Sequence, residues 1–363
     1  MEVLRFIFAV FALLGAADKI IGNRFKLGEE FDKGIMAAGT LSLAMIGMLC
    51  IAPCLAEWMT PVFTPVAEIS HIDLSFLGAF IANDMGGAAV SKALAADAVL
   101  GGFNGLVVAS MMGVTICFTV PVALKMIDKS LHKEVLLGIL CGIATMPLGC
   151  IVSGVMLKIP FGTLVLNLLP VILMAVVTCI GLAVKPDLCS KIFAGIGWVV
   201  STLIVIGFAA GIFEHITSVT LIPGMLPVMD AFVIVCDIAI ILSGVFPLIA
   251  VVSKVFSKPF SLLGKKLGIN ETAVLGLVSS VANSIPTFNM AEKMDKKGVV
   301  LNMAFAVSAS FVFGDHLAFT MAFDEGFVPA MIVGKLVSGV AAFAAAALVW
   351  KMTVKKEAGQ TVT

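Results

Sequence analysis

The sequence has no tyrosine, only three tryptophans and four histidines, and little charge: Asp, Glu, Lys and Arg make up 13% of its 363 residues, against about 25% in a soluble domain. So little charge excludes a free-standing soluble domain, and with it enzymes that carry a large cofactor-binding domain. No G-x-x-x-x-G-K-[ST] sequence is present, so nothing supports ATP hydrolysis by this chain. Neither His nor a third Cys stands at ligand spacing from Cys50 and Cys54. The eight cysteines lie in or beside apolar runs, so they read as small packing residues rather than a disulfide or zinc framework. No cofactor and no metal is expected. Lys+Arg and Asp+Glu are equal at 23 each, so the net charge says nothing about partners; no nucleic acid is expected.

What is abundant is apolar surface, 60% of residues with a mean hydropathy of +1.14 spread along the whole chain. Apolar stretches lie at about 3–22, 35–56, 74–96, 99–124, 135–157, 161–184, 192–213, 229–252, 271–291, 298–322 and 327–350, each near the roughly twenty residues that cross a bilayer. The first could be a secretory signal, but Lys19, Arg24, Lys26 and Lys33 follow it rather than precede it, so it reads as a retained span. Two stretches are interrupted at their centres, 74–96 by Asn83-Asp84-Met85-Gly86-Gly87 and 271–291 by Asn283-Ser284-Ile285-Pro286. The interruptions are related. Ala82-Asn83 recurs as Ala282-Asn283, Val107-x-Ala109-Ser110 as Val307-x-Ala309-Ser310, and Thr60-Pro61-Val62-Phe63 has a looser echo in Lys258-Pro259-Phe260, all at an offset near 200. An internal duplication of this kind is common in secondary transporters, whose sites lie at discontinuous helices between the repeats.

Charge placement then selects a topology. If all eleven stretches cross, basic residues divide almost evenly between the two sides, against the positive-inside rule. If the two interrupted stretches enter and return on one side, 19 of the 23 basic residues fall on the cytoplasmic side. Only Arg5, Lys92 and Lys158 remain outside, with Lys335 inside the last span. The expected fold is therefore all-α and polytopic: nine transmembrane helices plus two re-entrant helical hairpins, amino terminus out and carboxyl terminus in. Its organisation is a first repeat over 1–160 with a hairpin at about 74–96, a connecting span 161–184, and an inverted second repeat over 185–363 with a hairpin at about 271–291. Irregular backbone at membrane depth must be satisfied by protein or by an aqueous cavity, so both hairpin tips should line a site.

Asp84 at the first tip is expensive at mid-membrane unless a cation offsets it; alternatively it caps a half-helix. Gly86 and Gly87 permit a tight turn and close approach to a ligand. In the second half Gly314-Asp315-His316 interrupts the run 298–322, where the first repeat has Gly113-Val114-Thr115. Asp315 can orient the imidazole or face an ammonium, or the two form a mutually satisfied structural pair. Asn83 and Asn283 suit a hydroxyl group or act as interhelical glue. Asp237, Asn104, Asn167 and Lys335 also lie in apolar runs, and satisfying a neighbouring backbone group accounts for each as well as a pathway does. Gly138/Gly142 and similar spacings imply helix contact only.

The run Phe80-Ile81-Ala82-Asn83-Asp84-Met85-Gly86-Gly87 with Lys92, then Ala109-Ser110-Met111-Met112-Gly113-Val114-Thr115, then Ala282-Asn283-Ser284-Ile285-Pro286, then Ala304-Phe305-Ala306-Val307-Ser308-Ala309 leading to Gly314-Asp315-His316-Leu317, resembles the bacterial ethanolamine permease family EutH of ethanolamine-utilisation systems. The resemblance covers nearly the whole chain, which is shorter than some relatives around 157–162 and 214–229. It implies a multi-pass protein of the bacterial cytoplasmic membrane, embedded in the lipid bilayer and compatible with a homo-oligomer. It also implies uptake of protonated ethanolamine by alternating access, by facilitated diffusion or ion-coupled, and not an enzyme. The expected substrate residues are Asp84, Asn83, Gly86, Asn283, Ser284, Asp315 and His316: carboxylates for the ammonium, amide or hydroxyl groups for the alcohol, with Phe for cation–π contact. An elevator-type movement is expected, with 58–70 and 254–268 as interfacial arms. A carrier of another small amine or nucleoside-like solute is the alternative. An intramembrane aspartyl protease is a remote one, since Val312 replaces the first Gly of its G-x-G-D motif and no P-A-L motif is present.

Overall fold

The computed structural model describes residues 2–81, 85, 87–255, 264 and 266–360, with side chains as far as 353. Among them all regular structure is helical. The helices are α1 (Glu2–Ile20), α2 (Leu27–Ser70), α3 (Phe76–Phe80), α4 (Gly87–Leu94), α5 (Ala98–Met126), α6 (His132–Met156), α7 (Phe161–Val184), α8 (Pro186–Thr217), α9 (Val228–Val255), α10 (Glu271–Ser280), α11 (Ser284–Met290), α12 (Lys296–Ala309), α13 (Asp315–Asp324) and α14 (Val328–Gln360).

Among the described residues, seven stretches are long and apolar enough to cross a membrane: α2, α5, α6, α7, α8, α9 and the stretch Asp315–Thr353 that joins α13 to α14. The chain is a polytopic membrane protein. Two segments expected as plain spans fall outside the seven for visible reasons. Charged residues stand at both ends of the 19-residue α1, and the run 298–322 is split by non-helical residues 310–314 into α12 and α13. α2 has the opposite character. Its 44 residues extend about 66 Å, twice the roughly 30 Å hydrocarbon core. The expected arm 58–70 is its continuation past Pro53, Pro61 and Pro65. Most of the other expected arm, 254–268, lies outside the described residues.

The helices fall into two groups. α1, α2, α8 and α9 pack on one another, and α5, α6, α12 and α14 form a second bundle. α5 is the most enclosed: 83% of its most apolar window is buried, against 22% for α8, which places α5 at the centre and α8 at the rim. α6 lies close against α12 because Gly138 and Gly142 carry no side chain; a Cβ there would meet the Val300 carbonyl at 2.4 Å and Val307 at 2.5 Å. The groups meet through α9 against α13 and α2 against α4. Between them runs a cavity of about 580 Å³ lined by apolar side chains, among them Phe8, Val245, Leu277, Phe305, Phe313 and Ile332.

Candidate functional site

In each interrupted stretch two short helices pack on one another and the two ends of the stretch lie side by side. In the first, the Asp73 carboxylate accepts from the backbone N–H groups of Ala96 (3.0 Å) and Asp97 (3.2 Å), which ties entry to exit. Further in, Ser91 Oγ donates to the Ser75 carbonyl at 2.8 Å. In the second, the Asn270 N–H donates to Asp295 Oδ1 at 2.8 Å and its side chain donates to the Lys293 carbonyl at 2.8 Å. Thr287 Oγ1 donates to the Gly276 carbonyl at 2.8 Å, joining α11 to α10. At five to ten residues each, none of α3, α4, α10 and α11 spans 30 Å at 1.5 Å per residue.

Each hairpin is pinned to the helix that follows it by a buried asparagine. Asn104 Nδ2 donates to Ser75 Oγ at 2.8 Å, and Asn302 Nδ2 donates to the carbonyls of Ala273 (2.9 Å) and Gly298 (2.8 Å). The sequence marked Asn104 only weakly and missed Asn302. The pairs Ser75/Ala273, Gly78/Gly276, Asp97/Asp295 and Asn104/Asn302 all differ by 198 in number, and aligning the repeats at that offset would have exposed the second asparagine.

The second hairpin tip meets the break between α12 and α13. The N–H of Phe311 donates to the Ser280 carbonyl (3.0 Å) and that of Phe313 to the Val281 carbonyl (2.9 Å). Phe311 holds a left-handed φ of 61°, a conformation unfavourable for a bulky residue, and these two bonds fix it. Gly314 then passes the Ala282 carbonyl so closely that a Cβ would lie 2.1 Å from it. Asp315 and His316 open α13 directly afterwards. His316 is fully buried, its ring 5.1 Å from that of Phe311, which also meets Phe118 edge-on at 5.7 Å.

The expected site residues divide accordingly. Asn283 caps α11, its Oδ1 accepting from the Ile285 N–H at 2.8 Å, so this amide oxygen is already engaged structurally. Ser284 is fully buried and its Oγ has no hydrogen-bond partner among the described residues. Asn283, Ser284, Asp315 and His316 thus sit on the two strands of backbone that the tip and the break bring together. Asn83, Asp84 and Gly86 lie outside the described residues. Of the weaker candidates, Asn167 is structural, accepting from the Asp73 N–H at 2.8 Å, and Asp237 lies on an exposed face of α9. Lys335 is fully buried, its Nζ donating to the Ser110 carbonyl at 2.6 Å. Thr115, which the repeat alignment sets opposite His316, donates to the Val307 carbonyl at 3.2 Å where α5 crosses α12. The cysteines are free thiols, and no cluster of metal-ligating side chains occurs among the described residues.

A family profile described as "Ethanolamine utilisation protein, EutH" matches residues 1–349. A protein of Listeria monocytogenes named probable ethanolamine permease EutH is 43% identical across the whole of this chain and 97% of its own length. Proteins of Salmonella typhimurium and Escherichia coli bearing the same name are each 36% identical over the whole chain and 98% of their own lengths. No solved structure matches.

Proposed function

The chain belongs to the EutH family of ethanolamine utilisation proteins, and from that premise we propose that it is a permease, not an enzyme, taking up protonated ethanolamine across the bacterial cytoplasmic membrane. The observation that carries this beyond the family name is the junction of the second hairpin tip with the α12–α13 break. There Ala282 closes on Gly314, so that the buried hydroxyl of Ser284 follows the junction on one chain segment and Asp315 with the buried imidazole of His316 follows it on the other, the His316 ring lying against Phe311. An ammonium–alcohol needs this chemistry: a carboxylate and ring faces for the charge, and a hydroxyl partner for the alcohol. Asp84, Asn83 and Gly86 complete the proposed substrate set from the first hairpin, with Asn283 holding the second tip in shape.

The architecture proposed is nine crossings and two re-entrant hairpins in inverted repeats. The hairpin bases support it, each having entry and exit joined. So does the sidedness of the ties between connections: Arg5 with Glu325 at 2.7 Å, Asp73 with Asn167, Lys296 with Glu134 at 3.2 Å and Lys254 with the Phe25 carbonyl at 2.6 Å each join segments that the charge distribution puts on the same side. Alternating access would move the hairpin-bearing bundle against α1, α2, α8 and α9 in an elevator manner along the apolar cavity between the groups, breaking the half-exposed Arg5–Glu325 ion pair that crosses it.

The test is uptake of labelled ethanolamine at acidic pH by proteoliposomes, comparing wild type, Asp315→Asn and Asp84→Asn with protein-free vesicles. Wild-type uptake lost in folded variants supports the permease and its cation site. Wild-type uptake no faster than the protein-free baseline overturns the substrate assignment.

A further inference from the structure

Lys335 is among the largest side chains with no solvent exposure, and it lies within α14 rather than at an end from which it could reach water. Its Nζ donates to the carbonyl of Ser110 on α5. One turn along, Ser338 donates to Ser308 Oγ at 2.7 Å, and Gly339 lies against Ala309. This part of α14 therefore sits where α5 faces the last turn of α12, immediately before the break that leads to Asp315. Its amino group is thus held beside Ser110, whose repeat counterpart Ser310 begins that break.

A fixed ammonium there has a consequence for a cationic substrate. Two monovalent cations in one low-dielectric core repel strongly, and lysine, unlike arginine, can release its proton when its surroundings oppose the charge. Among the described residues of the elements packed against α14, Cys150 of α6 lies within electrostatic range of Lys335, and Asp315 and His316 open α13, which also packs on α14. α5 and α12 present Ser110 and Ser308. Asp84 of the first hairpin lies outside the described residues.

We propose that Lys335 is the resident cation of the carrier, and that its proton and the substrate ammonium exclude one another, making uptake an electroneutral exchange of one ethanolammonium inward for one proton outward. This rests on the reading of the substrate as ethanolammonium. In the outward-facing state the Lys335 ammonium gives its proton to external water as the substrate enters. After the substrate leaves to the cytoplasm, the neutral amine takes a proton from cytoplasmic water and the carrier returns. No bond of the substrate changes, and one positive charge moves each way.

The test imposes an inside-negative potential of about 100 mV, with a potassium gradient and valinomycin, on proteoliposomes taking up labelled ethanolamine. Protein-free vesicles are subtracted to remove diffusion of the neutral amine. Such a potential multiplies the equilibrium accumulation of an uncompensated monovalent cation about fiftyfold. Wild-type uptake is expected to be insensitive to the potential and driven by an acidic lumen, whereas Lys335→Gln uptake becomes driven by the potential. Lys335→Arg, which keeps the charge and cannot release it, is expected to fold and lose at least about tenfold in rate. Wild-type uptake that follows the potential overturns the exchange while leaving the permease intact, and this holds whether or not Lys335→Gln folds. A wild type with no uptake above the protein-free baseline instead removes the substrate reading on which the exchange rests.

Discussion

The backbone N–H of Phe311, at the break after α12, donates to the carbonyl of Ser280, the last residue of α10, at 3.0 Å. With the Phe313–Val281 bond at 2.9 Å, it couples a hairpin tip to a broken helix by main-chain contacts. The position of Asp315 thus depends on the hairpin.

Gly314→Ala should uncouple the two. The added methyl would meet the Ala282 carbonyl at 2.1 Å, so the tip must retreat, and overpacking of this kind costs about 1–3 kcal/mol. A lowered melting temperature in detergent together with loss of most uptake is the expected result. Wild-type uptake would show that the close approach is dispensable.

Ser284→Ala separates a binding role from a structural one. Its Oγ is buried without a hydrogen-bond partner among the described residues, so removing it should leave stability unchanged or slightly raised. If the hydroxyl meets the substrate alcohol, KM should rise about tenfold, corresponding to about 1.4 kcal/mol for a neutral hydrogen bond. An unchanged KM removes Ser284 from the site.

Asn302→Ala should destabilise more than Asn104→Ala. Asn302 donates to two carbonyls and Asn104 to one hydroxyl, and each such hydrogen bond contributes about 0.5–1.5 kcal/mol. Thermal unfolding of the two variants gives the order directly. Arg5→Ala is the contrasting control, because its ion pair with Glu325 is half exposed (60% and 45%) and such pairs contribute about 0–1 kcal/mol.

Topology can be read by labelling single cysteines, in a cysteine-free background, with a membrane-impermeant maleimide. His71→Cys and Ala96→Cys, exposed at the two ends of the first hairpin, should both react from outside, as should Lys158→Cys. Gly268→Cys and Lys293→Cys, flanking the second hairpin, should react only after permeabilisation, together with Lys129→Cys. Two ends of one hairpin reacting from opposite sides would make that segment a crossing.

Much of this was legible in one dimension. Apolar run length, set by bilayer thickness, located the helical segments. Asn83-Asp84-Met85-Gly86 and Asn283-Ser284-Ile285-Pro286 marked the two interruptions because polar, Gly and Pro residues are costly in a buried helix. The placement of Lys and Arg proposes a side for each connection, which the cysteine labelling tests. Family membership likewise rests on motif blocks that need no coordinates.

What the tertiary structure alone decided concerns partners distant in sequence. Asn283 and Ser284 are adjacent and look alike on paper; the fold commits the first to capping α11 and leaves the second without a partner among the described residues. Lys335 read as a lysine satisfying some neighbouring backbone, and only the packing of α14 on α5 shows that the carbonyl is that of Ser110, 225 residues away, inside the core. Gly314 needs to be glycine because of Ala282, and Phe311 holds its left-handed backbone because of Ser280. Hydropathy and propensity are sums over neighbours along the chain, whereas close approach and polar satisfaction depend on which surfaces meet, and in an apolar bundle many pairings bury equal area while few satisfy every buried polar group.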